Sequence, residues 1–332
     1  MNAPVAHILP TFADVEDAAK RLAGKAIETP LIESQALNER VGGRVLLKPE
    51  MLQVSGSFKF RGAYNRISRF SEDEKQRGVV AYSSGNHAQG VAAAAKLVGT
   101  RALIVMPHDA PQVKVDGVKA FGGEVRLYDR WNESREAIGA EIAAERGSVL
   151  VPPFDDFYVI AGQGTTGIEL VTQARAEGAE LDAVYCGASG GGVVAGIGLA
   201  VKALSPKTAM GVVEPEVYND HVLSLKAGER VTHSPGAQSI CDALMSPMPG
   251  EITFPINRTL LSEALTVSEA EVAEAMRWAF RWLKLVVEPG GAVSLAALLA
   301  GKIDAKGKTV GIVLTGGNVD PALFSQVLAG DI

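Results

Sequence analysis

The sequence predicts an α/β protein with two domains, each built on an open, mostly parallel sheet covered by helices. Strand-like and helix-like segments alternate along nearly the whole chain, and short connections join them. The length of 332 residues fits about two domains. Hydrophobic residues make up 47% of the chain and charged residues 21%, a composition that can bury a sizeable core.

The alternation begins with a strand at 44–50 and a helix at 57–70, for which Ser57 is the candidate N-cap. The pattern then predicts strands at 78–84, 101–107, 124–129, 181–189, 208–215 and 309–317, with further apolar segments at 148–153 and 285–289. It predicts helices at 86–99, 111–123, 132–147, 164–178, 191–204, 268–284 and 292–301. Ligands of parallel sheets bind at the carboxyl ends of the strands, so we expect the functional residues there.

Composition and charge argue against several classes of protein. The net charge of −6 is opposite in sign to a nucleic-acid-binding surface. No apolar run reaches the roughly 20 residues that span a bilayer, and the first residues lack the pattern of a signal peptide. Cys186 and Cys241 have no metal-type spacing, which favours a reducing compartment. We therefore expect a cytoplasmic protein without a nucleic-acid or membrane partner.

Three polar or glycine-rich segments follow predicted strands. Residues 83–87 lie between a strand and a helix, where free N–H groups can cradle a carboxylate or phosphate; a simple N-cap explains them equally well. Residues 187–192 contain three adjacent glycines, which suit close approach of the backbone to a phosphate. The third segment contains Thr315, near the end of the predicted strand 309–317. Its hydroxyl could form a hydrogen bond with a ring nitrogen or a phosphate, although a simple turn would have the same sequence pattern.

The glycine segment also resembles a dinucleotide fingerprint. Gly190, Gly192 and Ala195 have the required spacing, and Glu214 follows about 20 residues later, as a ribose-binding acid would. An NAD-dependent dehydrogenase is therefore an alternative from a different class. That alternative leaves Lys59 unexplained.

Lys59 lies between Phe58 and Phe60, directly after a Ser-Gly-Ser turn. A surface lysine that extends its charge into water would be unremarkable. The flanking aromatic residues favour a desolvated lysine instead, with a lowered pKa and the ability to form a Schiff base. Such a lysine together with a phosphate-binding glycine loop is what pyridoxal phosphate (PLP) requires.

Five motifs occur in one order: S-G-S-F-K-F-R-G, S-S-G-N-H, S-G-G-G, V-E-P and L-T-G-G-N. Together they resemble the fold-type II PLP enzymes of the serine/threonine dehydratase and serine racemase group, from about Thr29 to Asp320. The resemblance implies the tryptophan synthase β-like fold. It implies a large PLP-binding domain of residues 1–75 and 155–332, a small substrate-closing domain of 76–154, and a homodimer or homotetramer.

The resemblance also implies roles for individual residues. Lys59 would carry PLP as a Schiff base and act as the base at Cα, and Ser84 would be the second catalytic group. The cofactor would be bound by Phe58, Asn86, Ser189, Gly190, Gly191, Gly192, Glu288 and Thr315. The substrate would be bound by Ser83, Ser84, Asn86, His87 and Arg135. A divalent metal, Mg²⁺ or Ca²⁺, would be held by Glu214, Tyr218 and Asp220; an acidic surface turn is the alternative explanation of that segment.

Three positions depart from the family pattern. Ser189 replaces the first glycine of the phosphate loop, Ala243 replaces a common glycine, and Thr315 stands where many members have serine. A neutral hydroxyl at the cofactor ring nitrogen favours β-elimination. We therefore predict an ammonia-lyase that converts a 3-hydroxy amino acid of the threonine or serine type to a 2-oxo acid and ammonia.

Two alternatives share this scaffold. Arg135 matches a position near a distal carboxylate in racemase relatives, which would make β-hydroxyaspartate the substrate and oxaloacetate the product. An arginine on a helix surface near Glu133 and Glu136 explains Arg135 equally simply. A serine racemase with side dehydratase activity would use Ser84 on the opposite ring face. A binding module without catalysis would require an inert Lys59.

Overall fold

The computed structural model describes residues 8–83, 85–233 and 238–332. Its helices are α1 Phe12–Leu22, α2 Gln35–Val41, α3 Lys59–Ile67, α4 Glu72–Arg77, α5 Asn86–Val98, α6 Gln112–Ala120, α7 Arg135–Arg146, α8 Phe157–Ala176, α9 Gly192–Leu204, α10 Asp220–Ala227, α11 Thr253–Leu260, α12 Glu269–Trp278, α13 Pro289–Leu299 and α14 Pro321–Ala329. Among these described residues, no helix is both long and apolar enough to cross a bilayer.

The strands form two separate sheets. They are β1 Ile32–Glu33, β2 Arg44–Pro49, β3 Val79–Tyr82, β4 Ala102–Pro107, β5 Glu124–Tyr128, β6 Val149–Leu150, β7 Ala183–Gly187, β8 Ala209–Pro215, β9 Glu263–Val267 and β10 Thr309–Leu314. The larger sheet has the order β1-β2-β10-β7-β8-β9, and only its edge pair β1–β2 is antiparallel. The smaller sheet has the order β5-β4-β3-β6 and is parallel throughout. The predicted fold class is confirmed.

Apolar side chains cover both sheets. Helices α12 and α13 pack together and shield one face of the larger sheet, and the opposite face packs against residues of α8 and α9. Helix α5 covers the smaller sheet and packs against α3, which in turn packs against α8. Helix α3 therefore lies between the cores of the two sheets, and Lys59 is its first residue.

Two predicted boundaries are wrong. Ser57 is not the N-cap of α3: it forms an antiparallel bridge with Gly316, and the helix begins after Phe58. Helix α8 begins at Phe157 and not at residue 164, because the Asp156 side chain caps it there. The helix predicted at 268–284 is helical to residue 283: α12 ends at Trp278, a π-helical turn continues it over residues 279–283, and Lys284 ends it with a left-handed φ of 61°.

A buried ion network fixes the position of α3. Arg61 is fully buried and forms paired hydrogen bonds with two carboxylates, at 2.7 and 2.8 Å to Glu50 and at 2.5 and 2.8 Å to Glu169. Lys48 adds a second cation, 2.7 Å from Glu169. Burial acts to raise the pKa of Glu50, but Arg61 outweighs it and the pKa is lowered. The network joins β2, α3 and α8, so it holds the backbone of Lys59 in place.

Replacing Arg61 by methionine should therefore lower the free energy of unfolding by about 3–5 kcal/mol, because two buried carboxylates lose their main partner. Urea unfolding followed by circular dichroism measures this change. Arg146→Ala is a matched control, since the Arg146–Glu124 pair is exposed and should contribute less than about 1 kcal/mol. Equal effects of the two substitutions would contradict a stabilising role for the network.

Candidate active site

The polar segments singled out in the sequence meet between the two sheets. Ser83 follows β3, Ser189 follows β7, and Thr315 follows β10, each just beyond the carboxyl end of a parallel strand. The segment before Lys59 reaches them because Phe58 N–H donates to the Thr315 carbonyl at 3.2 Å. Parallel strands thus bring together residues that are far apart in the chain.

These segments line one cleft with an empty volume of about 930 Å³, including the part open to solvent. The predicted site residues that line it are Phe58, Lys59, Ser83, Asn86, His87, Arg135, Ser189, Gly190, Gly191, Gly192 and Thr315. Ser84 was also predicted, and it lies outside the described residues. Glu288 does not line the cleft but lies behind Asn86. Phe60 does not line it either, since its ring is buried in the core of the smaller sheet and packs on Tyr64.

Lys59 has the environment of a lysine that readily loses its charge. It is half-buried, and its Nζ donates to the Pro153 carbonyl at 2.5 Å and lies 5.2 Å from the Phe58 ring centroid. Burial lowers the pKa of Lys59 to about 7, against the opposing attraction of Glu288. A neutral amine is therefore well populated at neutral pH, as a nucleophile or a base requires.

The glycine loop leaves no room for side chains. A Cβ on Gly190 would lie 2.2 Å from the Phe154 ring. Gly191 has φ +90°, and a Cβ there would lie 2.5 Å from Asn257 Nδ2. Gly192 begins α9, so the loop presents N–H groups at the positive end of a helix. The loop is therefore suited to bind a phosphate through its backbone.

Asn86 is held from two sides at the start of α5. Its Nδ2 donates to Glu288 Oε1, and its Oδ1 accepts a hydrogen bond from Asn318 Nδ2 at 2.8 Å. Burial raises the pKa of Glu288 to about 7, although Lys114 acts to lower it. Glu288 Oε2 is buried and has no hydrogen-bond partner among the described residues. The Asn86 amide is thus fixed at the cleft wall by two residues from the last part of the chain.

His87 is neutral in this structure. Its Nε2 lies 2.9 Å from the Val151 carbonyl, which only accepts, so Nε2 carries the proton and Nδ1 is the unprotonated acceptor. Burial, with a smaller contribution from the charge of Lys59, lowers the pKa of His87 to about 3. The imidazole is consequently unable to offer a positive charge to a substrate carboxylate. Its backbone N–H, in the first turn of α5, remains suited to that purpose.

Arg135 lies at the wall of the cleft contributed by α7. Its Nε donates to Glu136 at 2.7 Å, and its guanidinium lies 5.6 Å from the Tyr82 ring centroid. Nη1 and Nη2 form no hydrogen bond with any residue in the described part of the chain. Glu133 does not bind it, since that carboxylate accepts from the backbone of Asp129. The guanidinium edge is therefore available to an anion in the cleft.

The structure adds three residues that the sequence did not indicate. Tyr82 lines the cleft beside Arg135, and Lys114 forms an ion pair with Asp242 at its edge. Lys114 comes from α6 and Asp242 from the segment before α11, so the pair joins the regions of the two sheets. None of these three residues belongs to a recognisable sequence motif, and they become neighbours of the cleft only in the folded protein.

Two of the three predicted metal residues, Glu214 and Asp220, form a separate cluster with His221, which was not predicted. Ligand atoms of Glu214, Asp220 and His221 all lie within 4.8 Å of one another, and the three side chains are fully buried. Both carboxylate oxygens of Asp220 lack a hydrogen-bond partner among the described residues. Burial raises the pKa of Glu214. The Tyr218 ring packs edge-on against His233, with centroids 4.2 Å apart. His221 Nδ1 lies 3.6 Å from Asp220 Oδ2, and although burial acts to lower the pKa of His221, Asp220 and Glu214 raise it to about 9. Two buried carboxylates beside a single histidine are a donor set that fits a hard cation.

Comparison with known proteins identifies the family. The family model described as "Pyridoxal-phosphate dependent enzyme" matches residues 23–316. This chain belongs to the pyridoxal-phosphate dependent enzymes. The predicted PLP dependence and the resemblance to the dehydratase and racemase group are thereby confirmed, and the NAD-dependent dehydrogenase and the binding module are set aside.

Relatives within this PLP family include L-threo-3-hydroxyaspartate ammonia-lyases. One from Pseudomonas sp is 45% identical over 97% of this chain and 99% of its own length. Another from Saccharomyces cerevisiae is 41% identical over 97% of this chain and 98% of its own. Among solved structures, a threonine deaminase from T.th. has a TM-score of 0.88 at 42% identity, covering 94% of this chain and 99% of that one.

The cleft fits PLP. Lys59 supplies an amine of lowered pKa, and the glycine loop supplies backbone N–H groups at the start of α9, at positions where a Cβ would collide with neighbouring residues. Phe58 and Thr315 line the cleft together with Lys59 and the glycine loop. The roles of the individual residues stay predictions.

Proposed function

We propose that this PLP enzyme is an ammonia-lyase that converts 3-hydroxyaspartate, of the L-threo configuration, to oxaloacetate and ammonia. The observation that carries this proposal is the position of Arg135 in the same cleft as Lys59. A 3-hydroxyaspartate carries a second carboxylate that threonine and serine lack, and a guanidinium is the natural partner for it. The names of the two ammonia-lyase relatives support the same substrate.

The proposed reaction begins with removal of the Cα proton of the substrate, for which Lys59 is the candidate base. PLP, when bound, would supply an electron-withdrawing ring that acidifies the Cα–H of the substrate. Lys59 would take the Cα proton on Nζ, since its pKa of about 7 leaves a substantial fraction of the amine neutral at neutral pH. The β-hydroxyl then takes up a proton and leaves as water, and one water molecule hydrolyses the released enamine to the 2-oxo acid and ammonia.

The substrate would be oriented by two carboxylate-binding regions, one at the start of α5 and one at Arg135. The first turn of α5 would bind the α-carboxylate through backbone N–H groups and the side chains of Ser83 and Asn86, with neutral His87 excluding water. Arg135 would bind the distal carboxylate through Nη1 and Nη2, while Glu136 and the Tyr82 ring hold the guanidinium in place. Two anchored carboxylates fix the Cα–H bond relative to Lys59.

The decisive experiment compares kcat/KM for 3-hydroxyaspartate, threonine and serine, with oxaloacetate and ammonia measured as products. We expect a clear preference for the dicarboxylate. Equal or higher kcat/KM for threonine or serine would favour the broader prediction of a threonine/serine-type ammonia-lyase. Conversion of L-serine to D-serine without ammonia would instead favour a racemase using Ser84.

We also propose that Glu214, Asp220 and the Tyr218 carbonyl bind a divalent cation, Mg²⁺ or Ca²⁺. The support is the buried carboxylate of Asp220 beside Glu214, since neither Asp220 oxygen accepts a hydrogen bond from a described residue. His221 was absent from the predicted set, and its Nδ1 lies 3.1 Å from Glu214. Oxygen ligands of this kind suit hard cations.

Mg²⁺ or Ca²⁺ should raise the thermal midpoint of the wild-type protein, because cation binding stabilises the folded state. The Asp220→Asn variant should lose this shift, which differential scanning fluorimetry with and without EDTA would measure. Glu216→Gln removes an exposed acid from the same turn and should keep the shift. A shift that persists in Asp220→Asn would place the cation elsewhere.

A cytoplasmic location and a homodimer or homotetramer remain our proposals. The family resemblance supports the assembly, and the exposed Phe280 and Trp282 side chains offer apolar surface for it. Light scattering coupled to size-exclusion chromatography gives the molar mass directly.

A further inference from the structure

Helix α11 contacts the glycine loop on the side away from the cleft. Thr253 Oγ1 donates to the Gly190 carbonyl at 2.5 Å, and Asn257 Nδ2 donates to the Gly191 carbonyl at 3.2 Å. Thr253 and Asn257 are four residues apart, so they lie on one face of the helix, and both are fully buried. One helix face thus binds two consecutive carbonyl groups of the loop.

These contacts determine where the next two N–H groups point. In a planar trans peptide, the carbonyl of one residue and the N–H of the following residue point in opposite directions. The Gly190 carbonyl faces Thr253, so the N–H of Gly191 faces away from α11. By the same geometry, the N–H of Gly192 faces away from Asn257. Gly191 and Gly192 line the cleft, and these N–H groups are its candidate phosphate donors.

Further contacts keep α11 and Asn257 in position. Asp155 accepts hydrogen bonds from the N–H groups of Glu251 and Ile252, both at 2.8 Å, just before the helix begins. Asn257 must direct Nδ2 toward the Gly191 carbonyl, which only accepts. The same Nδ2 lies 3.1 Å from His221 Nε2. The Asn257 amide is therefore held between the Gly191 carbonyl and the His221 ring.

We propose that Thr253 and Asn257 are positioning residues that aim the Gly191 and Gly192 N–H groups at the phosphate of PLP. This inference rests on the assignment of the glycine loop to the PLP phosphate. Neither side chain reaches the cofactor; each acts through a loop carbonyl.

The Gly190 carbonyl also accepts from the Gly250 N–H at 3.1 Å, and the Gly191 carbonyl from the Ala195 N–H at 3.0 Å. Loss of either positioning residue therefore removes one of two donors to a loop carbonyl, so the peptide is held less firmly and the phosphate faces a less ordered donor.

The experiment uses apoprotein titrated with PLP and, separately, with pyridoxal, which has the same aldehyde and ring but no phosphate. Thr253→Val and Asn257→Ala should each raise the Kd for PLP about 10-fold, the usual effect of losing one buried hydrogen bond, and leave the Kd for pyridoxal unchanged. Thr253→Ser should restore wild-type PLP affinity. Thr259→Val is the matched control, because Thr259 lies on the exposed side of the same helix and bonds only Pro255.

Two results would overturn the inference. Equal weakening of PLP and pyridoxal by Thr253→Val and Asn257→Ala would indicate a general packing defect and no specific effect on the phosphate. Unchanged affinity for both compounds would show that the loop is ordered without the hydrogen bonds from Thr253 and Asn257. Failure of the wild-type protein to bind PLP at all would instead overturn the proposed function, so the two failures are distinguishable.

Discussion

Replacing Lys59 by alanine should abolish both turnover and the visible absorbance of the protein-bound cofactor. The expected loss of kcat is at least about 10²–10⁴-fold, because the general base at Cα disappears together with the covalent attachment point. The change is measured by product formation and by the absorption spectrum of the purified protein. Lys119→Ala, an exposed lysine on α6, should leave both unchanged.

A second lysine in the cleft makes this prediction specific. Lys114 also lines the cleft, but the carboxylate of Asp242 holds its amine in an ion pair. Lys59 has no carboxylate within hydrogen-bonding distance among the described residues, and burial lowers its pKa to about 7. Borohydride reduction followed by peptide mass mapping should therefore place the cofactor on Lys59. A label on Lys114, or a Lys59→Ala protein that stays yellow, would show that Lys59 is not the lysine to which the cofactor is attached.

The fold was predictable because hydrophobic segments alternate with amphipathic ones along most of the chain. That alternation also implies that loops after parallel strands meet, which is why Ser83, Ser189 and Thr315 could be assigned to one site before their contacts were known. The stretch 216–267 shows no such alternation, and the sequence indicated neither α10, α11 nor β9 there. The residues of α11 that hold the glycine loop were missed for that reason.

Other features depend on contacts that no local pattern encodes. The Ser57–Gly316 bridge joins positions far apart in the chain and displaces the start of α3. The Lys114–Asp242 pair forms only because two separately folded regions face each other. Arg61 belongs to a recognised motif, yet its burial against Glu50 and Glu169 was not predicted, since a charged residue is ordinarily placed at the surface.

Replacing Arg135 by alanine should lower kcat/KM for 3-hydroxyaspartate by about 10- to 100-fold and leave kcat/KM for serine unchanged. Hydrogen bonds to charged groups are worth about 1.5–3 kcal/mol, and only the dicarboxylate would lose them. Steady-state kinetics with both substrates measure the difference. Arg130→Ala is the matched control, because Arg130 pairs with Asp109 and does not line the cleft.

The pattern of the two kinetic constants identifies what Arg135 does. A raised KM with unchanged kcat would mean that the guanidinium binds ground state and transition state equally. A fall in kcat as well would mean that it also aligns the Cα–H bond with Lys59. Arg135→Lys should recover little, since an ammonium lacks the paired donors that match a carboxylate. An equal loss with serine would show that Arg135 binds the α-carboxylate shared by both substrates or stabilises the fold. The structural argument for 3-hydroxyaspartate as the substrate would then fail.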